Sequence, residues 1–168
     1  MTIAEMLLPE FDREVAITRK TLERVPDDRF DWKPHEKSTT MGGLATHLSN
    51  LLSWAVHTIE KDSIDLAPGG VPVRPEPVRS AAEAVEVFDR NAAAARSAIA
   101  GADDGRMAGT WTLFANGQQI FAQPRAGVLR GMVMNHMIHH RAQLGVYLRL
   151  NDVPVPAVYG PSADESPF

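Results

Sequence analysis

Apolar residues recur at spacings of three and four in four stretches of the chain, a pattern that predicts four amphipathic helices. In the first stretch the repeat includes Ile3, Leu7 and Phe11. Thr40 and Ser80 are suitable N-caps for the second and third helices. The predicted helices span about residues 2–24, 40–62, 80–100 and 124–150.

Two connections between these helices, and the segment after the last one, contain residues that favour turns and loops. Residues 63–78 are rich in proline and glycine, which predicts a long loop because such a density disrupts helices and central strands. Loops of this length are often functional or mobile, so we expect this one to border a pocket. In residues 110–123, Asn116 and Gly117 lie between two short β-prone runs, which predicts a hairpin. Residues 151–168 contain four prolines and are expected to be extended.

Four helices that each carry an apolar face must bury those faces against one another. The sequence therefore predicts an all-α fold, an antiparallel four-helix bundle with a small hairpin or loop insert before the last helix. A chain of 168 residues is long enough to form its own apolar core, so we expect one domain over residues 1–168.

The amino-acid composition and net charge exclude several kinds of bonding and of binding partner. The chain contains no cysteine, which excludes disulfides and thiolate-based zinc sites. Its net charge of -4, without a basic stripe, argues against nucleic acid as a partner. No apolar window approaches ~18 residues, so no membrane partner is expected and the predicted location is the cytoplasm.

The six histidines are the candidate chemistry of the chain. His136 and His140 lie one turn apart on the predicted last helix, so their imidazoles can converge on one ion. A helical wheel places both in the apolar stripe, about 40° apart. The spacing resembles that of H-E-x-x-H zinc helices, but Met137 follows the first histidine where a glutamate would be needed, which excludes a metalloprotease.

The same wheel on the second helix directs His47 towards the core. Three buried imidazoles without partners would be costly, and one divalent metal ion would satisfy them together. Each histidine taken alone can instead be a core residue that is hydrogen-bonded to a neighbour. His139, at the edge of the stripe, is a weaker candidate for a fourth ligand.

An all-imidazole site suits Zn, Ni, Cu or Fe. Three protein ligands leave a coordination position open, which is typical of catalytic rather than structural metal sites. A structural role for the metal also fits these ligands.

Several segments resemble the DinB-like (DinB/YfiT) metal-binding four-helix-bundle family. The matching segments are 135–144 (NHMIHHRAQL), 44–48 (LATHL), 30–35 (FDWKPH), 153–156 (VPVP) and 159–165 (YGPSADE). These segments are spread along the sequence, and the resemblance extends over nearly the whole chain. The resemblance implies that His47, His136 and His140 bind a divalent metal, and we expect zinc or nickel as the ion. The resemblance, together with the apolar ends of the first and third predicted helices, also leads us to expect a homodimer.

Family members with a known activity include transferases that use low-molecular-weight thiols such as bacillithiol or mycothiol, and a mycothiol-dependent maleylpyruvate isomerase. The resemblance therefore implies a metal-dependent thiol S-transferase whose partners are a small-molecule thiol and an electrophile. A chain without cysteine is consistent with this, because the thiol must come from outside. A metal-dependent hydrolase and a non-catalytic metal- or ligand-binding bundle are the alternatives.

Four further residues are candidates for the surroundings of the metal. Gln143 lies near the centre of the apolar stripe and can hydrogen-bond either a ligand histidine or a substrate. Arg141 lies on a flanking side, where an ion pair with a neighbouring segment is favoured over substrate binding. Trp54 and Tyr147 are predicted to be core or pocket-wall residues.

Overall fold

The computed structural model describes residues 1–166, so Pro167 and Phe168 of the predicted extended tail lie outside the described residues. Seven α-helical segments are found in that range: α1 Ile3–Leu22, α2 Met41–Leu51, α3 Ser53–Glu60, α4 Ala81–Gly101, α5 Asp104–Ala108, α6 Arg125–Val128 and α7 His136–Leu150. The strands are β1 Ser63–Asp65, β2 Thr110–Ala115 and β3 Gln118–Pro124. A π-helical segment, Leu129–Asn135, joins α6 to α7.

The all-α prediction is wrong, because the described residues include a three-stranded mixed sheet in the order β1-β2-β3. β1 pairs in parallel with β2, with Ser63 opposite Thr112 and Asp65 opposite Phe114. The sequence pattern missed β1 because a three-residue strand leaves no periodic signal and its pairing partner lies far along the chain. The Asp65 carboxylate strengthens this link by accepting hydrogen bonds from the backbone N–H groups of Asn116 and Gly117.

The hairpin itself is present, with β2 antiparallel to β3. Its turn residues Asn116 and Gly117 both have positive φ, 50° and 74°. This is the conformation that a tight two-residue hairpin turn requires, and asparagine and glycine adopt it more readily than other residues.

Two of the predicted helices differ from expectation. The second is divided at Leu52 into α2 and α3, and the last begins at Arg125, because Pro124 still belongs to β3. A further short helix, α5, follows α4 and is capped by Asp103, whose side chain accepts a hydrogen bond from the N–H of Arg106. Instead of a pure four-helix bundle, the protein therefore has helices packed around an apolar core and a small three-stranded sheet beside them.

The helices α1, α2, α4 and α7 enclose the main apolar core, in which Phe11, Leu48, Phe88 and Met137 are almost completely buried. A second, smaller cluster joins the sheet to the helices. It consists of Trp111, Leu113 and Val128. Every helix of residues 1–166 is too short or too polar to cross a lipid bilayer.

The proline-rich segment 71–77 is exposed and follows a short 3-10 turn at Pro68–Gly70. We expect rapid amide hydrogen exchange at Arg74 and Glu76, whose N–H groups form no backbone ladder within residues 1–166. The N–H of Val78 donates to Thr46 Oγ1 at 3.1 Å and is the internal control for slow exchange. Slow exchange throughout 71–77, measured by NMR, would contradict this prediction.

Candidate metal centre

Three histidine side chains from two helices meet between α2 and α7. The Nε2 atom of His136 lies 3.2 Å from Nε2 of His47 and 2.8 Å from Nε2 of His140. One ring nitrogen of each residue falls in a group whose members all lie within 4.8 Å of one another. The structure thus brings together the three histidines that the sequence singled out, and this cluster can hold a metal ion.

Local packing of α2 positions His47. Thr40 caps the helix, because its Oγ1 accepts a hydrogen bond from the N–H of Gly43 at 3.0 Å. Gly42 allows close approach of the preceding connector, since a Cβ at this position would lie 2.5 Å from Cδ1 of Phe30. The start of α2 is therefore held tightly, and His47 projects from its second turn towards α7.

A hydrogen bond at its other ring nitrogen orients His140 of α7. Nδ1 of His140 lies 2.7 Å from Oε1 of Gln143, and the carbonyl-type oxygen can only accept. We assign the proton to Nδ1, which leaves the Nε2 lone pair directed into the cluster. Of the two roles predicted for Gln143, the structure shows the hydrogen bond to a candidate ligand histidine.

Burial keeps the three imidazoles neutral. Burial first, and then the proximity of His140 and His136, together lower the pKa of His47 from 6.5 to about 4. Burial also lowers the pKa values of His136 and His140. The hydrogen bonds of His136 with the Met132 backbone and of His140 with Gln143 raise these pKa values, but their effects are smaller than that of burial. Neutral imidazole is the form that binds metals, so the cluster is prepared for a cation at neutral pH.

These shifts predict a pH dependence for the metal-free protein. A folded-state pKa of about 4 for His47 lies below the unfolded value of 6.5, so the unfolded chain binds more protons between these values. The contribution of neutral His47 to the free energy of unfolding is therefore fully present above pH 6.5 and is lost as the pH falls towards 4. We expect the thermal midpoint to drop over this interval in the wild type and to drop less in His47→Gln.

The exposed His35 provides the control for that measurement, because its ring lies in the connector before α2. His35→Gln should keep the wild-type slope of thermal midpoint against pH. Equal slopes for His47→Gln and the wild type would contradict the assignment of a neutral, buried His47.

Two cavities flank the histidines. One, of about 520 Å³, is lined by all three of them together with Thr39 and Pro77. The other, of about 460 Å³, is lined by His47 but by neither of the other two histidines, and Trp54 forms part of its wall. Both volumes are within the range of small-molecule sites, so each cavity has room for a ligand next to the candidate centre.

The remaining candidates lie in different surroundings. Tyr147 is buried in the core and donates a hydrogen bond to the carbonyl of Thr39 at 3.2 Å. His139 is exposed, and although its ring centroid lies 4.8 Å from that of His140, it does not join the cluster. Arg141 lies away from the cluster, in an ion pair with Glu14 of α1.

Two residues with a part in these surroundings carry no signal in the sequence that would identify them. Arg74 of the proline-rich segment borders both cavities, which agrees with the expectation that this segment borders a pocket, but no local pattern distinguished it from other exposed arginines. Glu14 was missed as the partner of Arg141, because its acidic side chain falls within a helical repeat and nothing local shows which residue it faces.

Fold and site together define a helical protein with a small mixed sheet and a cluster of three histidines that can hold a metal ion. The chain belongs to the DinB superfamily, whose family model matches residues 10–144. No curated protein matches the chain.

Solved structures share this fold. A DinB-like protein from Bacillus cereus has 22% sequence identity and a TM-score of 0.67, over 92% of this chain and 97% of that one. A DinB-like protein from Bacillus subtilis has 17% identity and a TM-score of 0.67, over 91% of this chain and 96% of its own. These likenesses establish the fold.

Proposed function

We propose that the protein binds a divalent metal ion through His47, His136 and His140. The observation that carries the proposal is the convergence of three imidazole nitrogens within 4.8 Å. The lowered pKa values of the three rings support it, as does the orienting hydrogen bond that Nδ1–H of His140 donates to Gln143 Oε1. Imidazole donors suit zinc and nickel, which are the metals that we propose.

We also propose that the protein is a metal-dependent transferase that activates a low-molecular-weight thiol, of the bacillithiol or mycothiol type, for attack on an electrophile. A divalent ion at the three histidines would lower the pKa of such a thiol. The chain has no cysteine, so the nucleophile has to be a bound small molecule. Both cavities next to His47 offer room for the two reactants.

The side chains around the cluster have separate tasks in this proposal. Gln143 holds the His140 ring in the tautomer that a cation needs. Trp54 and Leu51 supply apolar surface in the wall of the cavity beside His47. Thr46 donates to the Gly42 carbonyl and accepts from the Val78 N–H, which ties the proline-rich segment to α2 beside the cluster.

The test has two stages. Metal content is measured by mass spectrometry after loading with zinc or nickel, and the loaded protein is then assayed with bacillithiol, mycothiol or glutathione and monobromobimane. We expect metal-dependent turnover with at least one thiol and none with the metal-free protein. Metal binding without turnover with any thiol would favour a non-catalytic binding protein, and hydrolysis without thiol would favour a hydrolase.

A homodimer is the proposed oligomeric state, and it rests on the family resemblance. Exposed apolar side chains such as Met6 and Val146 are available for such an interface. We expect sedimentation of about twice the chain mass of 18.4 kDa at micromolar protein, and monomer alone would exclude the dimer. A cytoplasmic location and the lack of nucleic-acid or membrane partners likewise stay predictions.

A further inference from the structure

Arg74 is an uncompensated cation at the candidate centre. It lies in the exposed segment 71–77 and, together with His47 and Pro75, borders both cavities. Its guanidinium forms no hydrogen bond or ion pair with any of residues 1–166. A guanidinium has five donors in a planar fork that suits a carboxylate, so a free one at a cavity wall is well suited to bind an anion.

The other charged groups around the 460 Å³ cavity leave a net positive charge there. Lys61 also makes no side-chain hydrogen bond or ion pair in the described chain, and Asp65 is the only acidic residue among those lining the cavity. The Asp65 oxygens already accept hydrogen bonds from three backbone N–H groups. Nearby Asp62 is paired with Arg106 and Arg125 rather than with Lys61.

The rest of the cavity wall is largely apolar. Leu51, Trp54, Ile64 and Leu66 contribute to it, beside the polar side chains of Asn50 and Ser53. Such a wall favours a ligand with an apolar body, while two cations against one anion favour a single negative charge on it. A carboxylic acid with an apolar or aromatic body has both properties.

We propose that Arg74 binds the carboxylate of a small-molecule reactant whose apolar body lies against Trp54 in the cavity beside His47. The proposal rests on the proposed function in one respect, since it identifies this ligand as a reactant at the metal centre. The guanidinium would hold the carboxylate by charge-assisted hydrogen bonds and direct the ligand body along the wall next to His47. Arg74 is thus a specificity-determining residue, and the substrate class is an apolar carboxylic acid.

The experiment measures binding of 2-naphthoate and its neutral analogue 2-naphthamide to the full chain by NMR titration. It is done first with metal-free protein, because a carboxylate can also bind a metal directly. The matched variants are Arg74→Gln and Arg79→Gln. Arg79 is an exposed arginine of the same connection that does not line either cavity.

We expect Arg74→Gln to weaken 2-naphthoate binding at least about tenfold, the loss expected for a charge-assisted hydrogen bond. Arg79→Gln should bind as the wild type does, and 2-naphthamide should bind weakly to all three proteins. Shifts of the Trp54 indole resonance should accompany naphthoate binding. Equal affinity of Arg74→Gln and wild type, equal weakening in Arg79→Gln, or equal affinity for acid and amide would each overturn the proposal.

The measurements distinguish failure of the carboxylate site from failure of the proposed metal centre. If the wild-type protein takes up no zinc or nickel but its naphthoate affinity depends on Arg74, the carboxylate site stands and the metal centre does not. If metal binds and naphthoate affinity is indifferent to Arg74, the metal centre stands and the carboxylate site falls. Unchanged thermal midpoints of both arginine variants would show that neither change acts through folding.

Discussion

Replacing His136 with alanine is expected to reduce zinc affinity by at least about 100-fold, because loss of a direct ligand exceeds the loss of 10–100-fold typical of residues behind the ligands. His136 is the central member of the cluster, since its Nε2 lies 3.2 Å from that of His47 and 2.8 Å from that of His140. Without this ring the two remaining histidines lie on different helices and share no third donor.

Competition with a chromophoric zinc chelator measures the effect. His139→Ala is the matched control, since it removes an exposed imidazole of the same helix beside His140. It should leave zinc affinity close to that of the wild type. Full zinc affinity in His136→Ala, or an equal loss in both variants, would exclude the proposed ligand set.

The largest effect on stability is expected at the buried ion pair between Arg141 and Glu14. Their side chains are 4% and 1% exposed, and Nη1 of Arg141 lies 2.7 Å from Oε2 of Glu14. Tyr159 from the C-terminal segment donates to the same carboxylate at 2.9 Å. Arg13 also lies 3.6 Å from Glu14, but its side chain is exposed. Removing Arg141 therefore leaves Glu14 without its buried partner, a loss that typically costs about 3–5 kcal/mol.

We therefore expect Arg141→Met to lower the free energy of unfolding, measured by urea denaturation, by about 3–5 kcal/mol. Arg130→Met is the control, because Arg130 forms its ion pair with Glu10 at the surface. That variant should lose no more than about 1 kcal/mol.

Replacing both members of the pair tests the cause of that loss. The double variant Glu14→Leu with Arg141→Met should regain much of the stability, since no buried charge then remains. Arg141→Met should also keep its zinc affinity, because Arg141 lies outside the histidine cluster. A loss below about 1 kcal/mol in the single variant would contradict this account of the pair.

The candidate site could be predicted largely from the sequence because its geometry is local to two helices. Residues four apart on a helix share a face, so His136 and His140 had to lie together once α7 formed. His47 required only that its helix present the same kind of apolar face to the core. Gln143 follows from the same spacing, three residues after His140.

Features that depend on distant parts of the chain could not be predicted. β1 is a strand only because β2 lies beside it, and its own three residues carry no periodicity. The partner of Arg141 lies on α1 at the other end of the sequence, and charge alone does not choose among 21 acidic residues. The role of Arg74 likewise depends on how segment 71–77 folds over α2 and α3.

The segment Leu129–Asn135 before His136 is π-helical, and each π turn holds about one residue more than an α-helical turn. A π turn rotates less than about 100° per residue, so the halves of this helix are out of phase with each other. Its first half directs Val128 to Trp111 and the sheet, and its second half directs His136 and His140 to α2. Deleting one residue of the segment would restore a continuous phase and turn one surface away from its neighbour. This insertion thus lets a single helix serve two neighbours that a regular helix of the same length would not face together.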